Sequence, residues 1–462
     1  MKKLAFTILA SLISLTFFGQ EITGQWNGIL KVPGAQLRLV FNIEKTANGI
    51  SATMDSPDQG AKGIPVSSSS FENSVLKIGI SPAQIEYEGT LGKDNIIIGN
   101  FKQAGQSFPL NLSKEKAEKE IPIRPQEPKK PYSYHSEDII FENKKAGITL
   151  AGTLTLPKQD GVFPAVILIS GSGPQNRDEE LMGHKPFLVL SDYLTKNGIA
   201  VLRYDDRGVA ASKGNFKNAT TADFATDVEA GIAYLKTRKE INKSKIGLIG
   251  HSEGGIIAPI VASQSKDIAF IVLLAGTGIQ GDQLLLLQQQ LIGKASGASD
   301  EALEKIKSSN IKLFDIVNKS TSTEQLQNDL TNYLKQNPDT EKPEGMTDDE
   351  FIKLQMQQIA TPWMHYFIKY NPAPTLEKVK CPVLALNGEK DLQVPPKENL
   401  EAIKAALSKG GNKNVTAIEL PNLNHLFQEC ETGSPQEYAT IEQTFAPVAL
   451  TEITKWIKTQ TN

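Results

Sequence analysis

From about residue 135 onward the sequence repeats one alternation, a short apolar run followed by a longer amphipathic stretch. The apolar runs are Ala165–Ile169, Ile199–Tyr204, Ile246–Ile249, Ile268–Leu274, Val383–Leu386 and Val415–Glu419; helical patterns fall between them at Pro186–Lys196, Ala222–Thr237 and Lys397–Leu407. Strands this short and this apolar must be covered on both faces. The pattern therefore predicts an α/β domain with a mostly parallel sheet between two layers of helices. Asp138–Glu142 and Ile148–Leu156 read as an antiparallel pair leading into it. Residues 277–378 interrupt the rhythm with polar, helical sequence, including Glu301–Val317 and Asp348–Ile359. That detour is too long for a loop and predicts a helical cap over one end of the sheet.

A chain of 462 residues has room for more than this one domain. Residues 21–113 carry strand patterns without helical ones. Leu37, Leu39, Phe41 and Ile43 alternate with polar residues, and similar runs occur at Gly24–Val32, Ser74–Ile80, Gln84–Leu91, Asn95–Phe101 and Ser107–Leu112. Turn formers at Asn48-Gly49, at 57–60 and at 92–95 separate them, which predicts a small all-β barrel or sandwich. Trp26 is read as a core anchor of that domain. Residues 114–134, with Pro122, Pro125, Pro128 and Pro131 three apart, read as an extended Pro-rich linker. At the front, Met1-Lys2-Lys3 and the apolar run Leu4–Phe18 have the layout of a signal peptide over residues 1–20, with cleavage next to Gly19 or Gln20. An exported destination, periplasmic or extracellular, is the expectation, with no membrane span in the mature chain. The two cysteines, Cys381 and Cys430, fall at opposite ends of a predicted strand roughly 20 Å long, beyond the reach of a disulfide. Two free thiols are expected.

The chemistry is concentrated in Gly250-His251-Ser252-Glu253-Gly254. An apolar strand precedes it and a helical pattern, Ile256–Ser263, follows, so strand, sharp turn and helix meet at Ser252 as a nucleophile elbow requires. A serine hydroxyl needs a base, and the chain has five histidines. His251 is beside the serine in the turn and should point elsewhere. His135 and His184 precede elements and read as surface or packing residues, while His365 falls in the cap near Trp363 and Phe367. His425 follows the last strand on a loop and is the expected base. The acid should follow a strand between serine and histidine, which selects Asp391, with Asp282 and Glu389 as rival positions. One oxyanion N–H should come from Glu253 at the helix start. The second should come from the Gly171-Ser172-Gly173-Pro174 turn after the first parallel strand, with Ser172 favoured and Gly173 or Gly171 as alternatives. Gly276, Gly278 and Gly281 match a dinucleotide-binding spacing, but the chain runs into the cap where that motif needs a second strand.

These motifs resemble those of the α/β-hydrolase superfamily, in particular secreted bacterial serine esterases with Gly-His-Ser-Glu-Gly-Gly at the elbow and Gly-Ser-Gly-Pro at the oxyanion turn. The stretch Leu202–Gly208 (Leu-Arg-Tyr-Asp-Asp-Arg-Gly) and Asn424-His-Leu-Phe are similar to that group as well. The resemblance covers about residues 135–462 and departs at Ser170, where many lipases carry His. It implies hydrolysis of carboxylic esters, often of short acyl chains, and some relatives are peptidases. The β-domain resembles an accessory domain found ahead of such esterases.

A small-molecule ester, attacked without metal or organic cofactor, is therefore the expected substrate, in a pocket to which Trp363, Phe367 and His365 contribute. A serine peptidase built on the same triad is the rival enzyme. Acids in the cap, Glu341, Glu344, Asp348 and Asp349, would suit it, although clustered acids are usually a solvated face. A non-catalytic glycan- or lipid-binding protein is the third reading, opposed by the presence of all three triad residue types. With 49 basic and 52 acidic residues the net charge is −3, a poor match for nucleic acid.

Overall fold

The structure, a computed structural model, describes residues 22–32, 35–47, 49–59, 61–103, 106–116, 123–337 and 347–461. The expected signal segment lies outside them. The chain divides into two compact units, with the boundary between Ile121 and Pro122.

The first unit is all β. Strands β1 (Gly24–Val32), β2 (Ala35–Thr46), β3 (Gly49–Ser56) and β4 (Ala61–Pro65) form one antiparallel sheet in sequence order. A second antiparallel sheet contains β5 (Ser68–Glu72), β6 (Val75–Ile80), β7 (Ile85–Leu91), β8 (Ile97–Gln103) and β9 (Gln106–Pro109), again in order. Strands β3 to β5 were not separated by the sequence pattern, because they carry few aliphatic residues and are half-exposed. The inward residues of both sheets share one core around Trp26, Phe41, Leu76, Tyr87 and Ile97. Trp26 is fully buried and its indole N–H donates to the Ile22 carbonyl at 2.6 Å. The Tyr87 ring lies 5.4 Å from that of Phe41, and its hydroxyl donates to the Leu110 carbonyl.

The Pro-rich stretch is not a free linker along its whole length. In its described part, Arg124 donates to the carbonyls of Ala439 (3.0 Å) and Ile441 (2.7 Å), and Gln126 bonds Thr444 and Phe445 through both amide atoms. Residues 123–134 are thus a strap fastened to the second unit. A guanidinium has several donors to satisfy, and here backbone carbonyls far along the chain supply the acceptors.

The second unit is built on an eight-stranded sheet. Its strands are β10 (His135–Asn143), β11 (Ile148–Leu156), β12 (Phe163–Ile169), β13 (Ala200–Tyr204), β14 (Ile241–His251), β15 (Phe270–Leu274), β16 (Val383–Gly388) and β17 (Val415–Leu420). The spatial order is β10-β11-β13-β12-β14-β15-β16-β17, antiparallel as far as β13 and parallel from there on. Successive strand residues enter different cores: Ala165, Ile167 and Ile169 face one, Val166 and Leu168 the other. Helices α2 (Thr221–Thr237), α3 (Gly254–Gln264) and α10 (Pro396–Lys409) cover the first face; α1 (Pro186–Lys196) and α11 (Pro447–Thr461) cover the second. Helix α11, which the strand–helix alternation did not single out, buries Ile453 and Ile457 there.

Between β15 and β16 the cap contributes α4 (Gly281–Ala295), α5 (Asp300–Lys319), α6 (Thr323–Gln336), α7 (Asp348–Ile359), α8 (Pro362–Lys369) and the short α9 (Ala373–Leu376). Leu313, Phe314, Val317, Leu326, Leu330 and Phe351 give it a core of its own. Helix α8 joins the two cores, with Phe367 and Trp363 against the sheet and Ile368 and Met364 against the cap. Glu341 and Glu344 lie outside the described residues. Among the described residues no helix is long and apolar enough to cross a membrane. Both cysteines are free.

Trp26→Ala should destabilise the β unit by about 3–5 kcal/mol, the usual cost of emptying so large a buried site. Hydrogen exchange at the amides of β1, β2 and β7 checks it; protection equal to wild type would contradict the anchoring role.

Candidate active site

Ligands of parallel α/β sheets collect where the strands end at their carboxyl edge. Here the C-terminal ends of β12, β14, β16 and β17 bring four segments to that edge. Strand β14 ends at His251, Ser252 turns, and α3 begins at Gly254. The turn is sharp enough to place Ser252 at φ +52°, a left-handed conformation that costs a non-glycine residue about 1–3 kcal/mol. Its own N–H holds it there by donating to the Leu274 carbonyl at 2.8 Å. The flanking glycines are steric necessities. A Cβ on Gly250 would sit 2.0 Å from the Gly254 carbonyl oxygen, and one on Gly254 would sit 2.2 Å from that of Ile169.

Asp391 lies three residues beyond β16 and His425 on the loop after β17. The Asp391 carboxylate uses both oxygens. Oδ1 accepts the N–H groups of Gln393 and Val394, each at 2.8 Å, and Oδ2 faces Nδ1 of His425 at 2.8 Å. With Nδ1 donating to the acid, the other ring nitrogen, Nε2, is left as the acceptor that a base requires. Asn424 shapes the loop by accepting the N–H groups of Leu426 and Gln428 on one oxygen. Among the described residues the Ser252 hydroxyl makes no hydrogen bond, so acid and base are joined while the serine stands apart. Such looseness is common before substrate binds.

The rival acids are elsewhere. Asp282 is in the first turn of α4 and accepts from Asn318 of the cap at 2.9 Å; Glu389 accepts the Asn422 N–H at the surface. His184 is buried rather than at the surface, and burial pushes it down to about 4. His365 places Nε2 3.2 Å from the Ser320 carbonyl inside the cap. Phe367 is packed in the sheet-side core, stacked on Trp363 at 4.9 Å. The glycine spacing at 276–281 has a packing cause: Gly281 lies where a Cβ would meet the Phe367 carbonyl at 1.9 Å.

The oxyanion turn approaches the serine from β12. A Cβ on Gly171 would sit 3.2 Å from Cβ of Ser252. Gly171 has already committed its N–H to Glu179 at 2.7 Å, whereas those of Ser172 and Gly173 have no partner among the described residues. The turn is pinned from behind by Asp206, which accepts from the Ser170 hydroxyl and the Gln175 N–H, both at 2.9 Å. Its neighbours in the same stretch hold the surroundings: Asp205 pairs with Arg177 at 2.8 Å and Arg207 with the buried Asp227 at 2.7 Å. That stretch was noticed in the sequence as a resemblance, yet charges alone could not say which turn they brace.

Glu253 is buried beneath the same edge. Its Oε1 accepts from the Thr221 hydroxyl and from the indole N–H of Trp363, both at 2.7 Å. Burial pushes its carboxyl up to about 7, only partly offset by these two donors. Asp206 is pushed up to about 8, by burial first and then by the nearby acids Glu253 and Glu179, against its two hydrogen bonds. Among the described residues no group of three or more His, Cys, Asp or Glu is arranged to hold a metal ion.

A left-handed serine between strand and buried helix, with an aspartate–histidine couple from the ends of β16 and β17, defines an α/β-hydrolase. A family model described as serine aminopeptidase, S33, matches residues 186–430, more than half of the chain, and the chain belongs to that family. It is also 26% identical over 317 residues to esterase EstD of Thermotoga maritima, a match covering 67% of this chain and 64% of that protein's length. Among solved structures it is similar to the α/β-hydrolase GrgF of a Penicillium species (15% identity, 71% of this chain and 99% of that one, TM-score 0.44). The Pyrococcus furiosus esterase Pf2001 is similar too (16% identity, 71% and 94%, TM-score 0.42).

The raised Glu253 carboxyl has a thermodynamic consequence. Between its ordinary value of 4.5 and about 7 the folded state keeps a proton that the unfolded chain has lost, so stability falls as pH rises through that window. Glu253→Gln keeps an acceptor for Thr221 and Trp363 but cannot ionise. Its Tm relative to wild type should therefore rise between pH 5 and pH 8; a difference independent of pH would contradict the assignment.

Proposed function

We propose that this protein is a serine esterase that cleaves small carboxylic esters with short acyl chains through an acyl-enzyme intermediate. The observation that carries the reading is the Asp391–His425 couple, 2.8 Å apart, at the same strand edge as the left-handed Ser252. In this mechanism Ser252 Oγ attacks the ester carbonyl while Nε2 of His425 takes its proton. Asp391 orients the ring and stabilises the imidazolium. The N–H groups of Glu253 and Ser172, with Gly173 as the neighbouring donor, receive the oxyanion. Collapse breaks the ester C–O bond and His425 protonates the departing alcohol. Water, deprotonated by the same histidine, then releases the acid. No cofactor enters these steps. The basic and apolar residues 1–20 support an exported enzyme, periplasmic or extracellular.

The family description favours a second reading, an aminopeptidase using the same three residues. Against it, the described cap acids Asp348 and Asp349 are exposed in the first turn of α7, where negative charge suits the positive end of the helix. The esterase relative, aligned over 67% of this chain, supports the ester reading.

A panel of p-nitrophenyl esters and aminoacyl anilides separates the two. The protein should hydrolyse acetate and butyrate esters, and Ser252→Ala should abolish that turnover while circular dichroism stays unchanged. Faster turnover of the anilides would favour the peptidase.

Asp391→Asn should reduce kcat by orders of magnitude, about 10⁴ in the best-studied protease triad. Asp282→Asn, out in the cap, should stay near wild type. The opposite ranking would relocate the acid.

Trp363 is the expected pocket aromatic that reaches the elbow, so Trp363→Ala should shift the acetate-to-octanoate profile by a graded amount, about 1–3 kcal/mol per methylene at most. His365→Ala should leave the profile unchanged.

A further inference from the structure

The histidine of the elbow has no task in the mechanism above, yet it is buried and bonded through both ring nitrogens. Nδ1 of His251 lies 2.9 Å from Glu179 Oε1, and Nε2 lies 3.0 Å from the backbone carbonyl of His425. A carbonyl oxygen can only accept, so Nε2 must carry a proton. The Glu179 oxygen that faces Nδ1 also accepts the Gly171 N–H at 2.7 Å. An oxygen receiving two donors is best served by negative charge, which leaves Nδ1 protonated as well. Both bonds are made at full strength only by an imidazolium.

We propose that His251 is a positioning residue, held as a cation against Glu179, that locks the oxyanion turn and the His425 loop to the two sides of Ser252. The inference rests on the esterase reading for its kinetic part only. On one side the lock runs from His251 through Glu179 to Gly171, the residue before the Ser172 donor. On the other it runs directly to the backbone of the base. Glu179 itself is held at φ +50°, an uncommon conformation for a side-chain-bearing residue and consistent with a residue placed by its contacts.

The surroundings permit one buried charge pair and little else. The titratable groups facing His251 are Glu179, the His425 ring 4.8 Å away, and Asp391 beyond it. Asp206 interacts electrostatically with Glu179. A cavity of about 10 Å³ beside the ring is lined otherwise by Pro186, Phe187, Leu274, Leu426, Phe427 and Phe445, all apolar. Burial opposes charge on His251, but the Glu179 carboxylate, the His425 carbonyl and Asp391 together hold the imidazole above its ordinary value of 6.5. A histidine raised in this way keeps its lock below its folded pKa and loses it as pH rises through that value.

Protein labelled with ¹⁵N in its histidine rings tests the charge state directly. At pH 6.5, the ordinary imidazole value, one buried ring should show both nitrogens protonated, and His251→Gln should remove that signal. A His251 ring found neutral at this pH, its proton residing on Glu179, would overturn the proposal. This readout needs no activity, so it stands apart from the esterase assignment. The kinetic readout is Glu179→Gln. The amide oxygen can still accept from Gly171 and from His251, but no negative charge remains to hold the ring as a cation. Wild-type kcat for a short ester should hold a plateau while pH stays below the raised His251 value and decline once pH passes it. The variant should lose that plateau, with kcat down about tenfold at pH values where wild type still holds it, the scale of one good hydrogen bond. KM should change little, and Glu179→Asp should restore part of the plateau. A Glu179→Gln profile that overlays wild type would also overturn the proposal.

Discussion

Everything at the active edge depends on how closely β14 and α3 approach around Ser252. The chain reverses from strand to helix over Ser252 and Glu253, and the reversal is possible because no side chains stand between Gly250, Gly254 and the end of β12. That closeness buries the first nine residues of α3 against the sheet and brings the Ser252 N–H onto the Leu274 carbonyl. The strained serine is thus held by packing on one side and a hydrogen bond on the other, which is how a left-handed residue persists. It also puts the first free N–H of a helix beside the hydroxyl, so the proposed nucleophile and the proposed oxyanion donor are consequences of one turn.

A layer of carboxylates behind this edge sets the positions of the loops in front of it. Asp206 braces the oxyanion turn from Ser170 and Gln175, Glu179 takes the Gly171 N–H and His251, and Glu253 reaches Thr221 and Trp363. Each is buried, and burying a carboxyl is costly unless donors meet it. The cost explains why each of the three is met by two donors, and why burial drives Asp206 and Glu253 upward. Glu253 has two tasks in the proposed mechanism. Its backbone faces the substrate, and its side chain holds the cap through Trp363, so cap position and oxyanion geometry share one residue.

Where the sequence was legible, a short-range physical rule made it so. The parallel strands and helices α1, α2, α7 and α10 are visible because apolar periodicity is local, and the candidate acid and base, Asp391 and His425, are legible because the order expected of such residues follows strand order. Strands β3 to β5 were hidden by polar, half-exposed composition, where alternation carries no signal. The proline spacing at 122–131 suggested an extended connector, but the acceptors that fasten Arg124 and Gln126 lie more than 300 residues away. Glu179 belongs to Arg177-Asp178-Glu179-Glu180, which reads as a solvated charge run until the fold turns one member inward.

From the sequence alone, the class of domain, its elbow and the identities of the three candidate reactive side chains could be read, because each depends on residue type and order along the chain. The tertiary structure decided what surrounds them. It bonded His365 to the cap, seated Phe367 in the core, gave the Gly171 N–H to Glu179 and left those of Ser172 and Gly173 without a partner among the described residues. Those outcomes are settled by which buried donors and acceptors meet across the sheet edge. Partners separated by tens to hundreds of residues leave no local pattern by which either could announce the other.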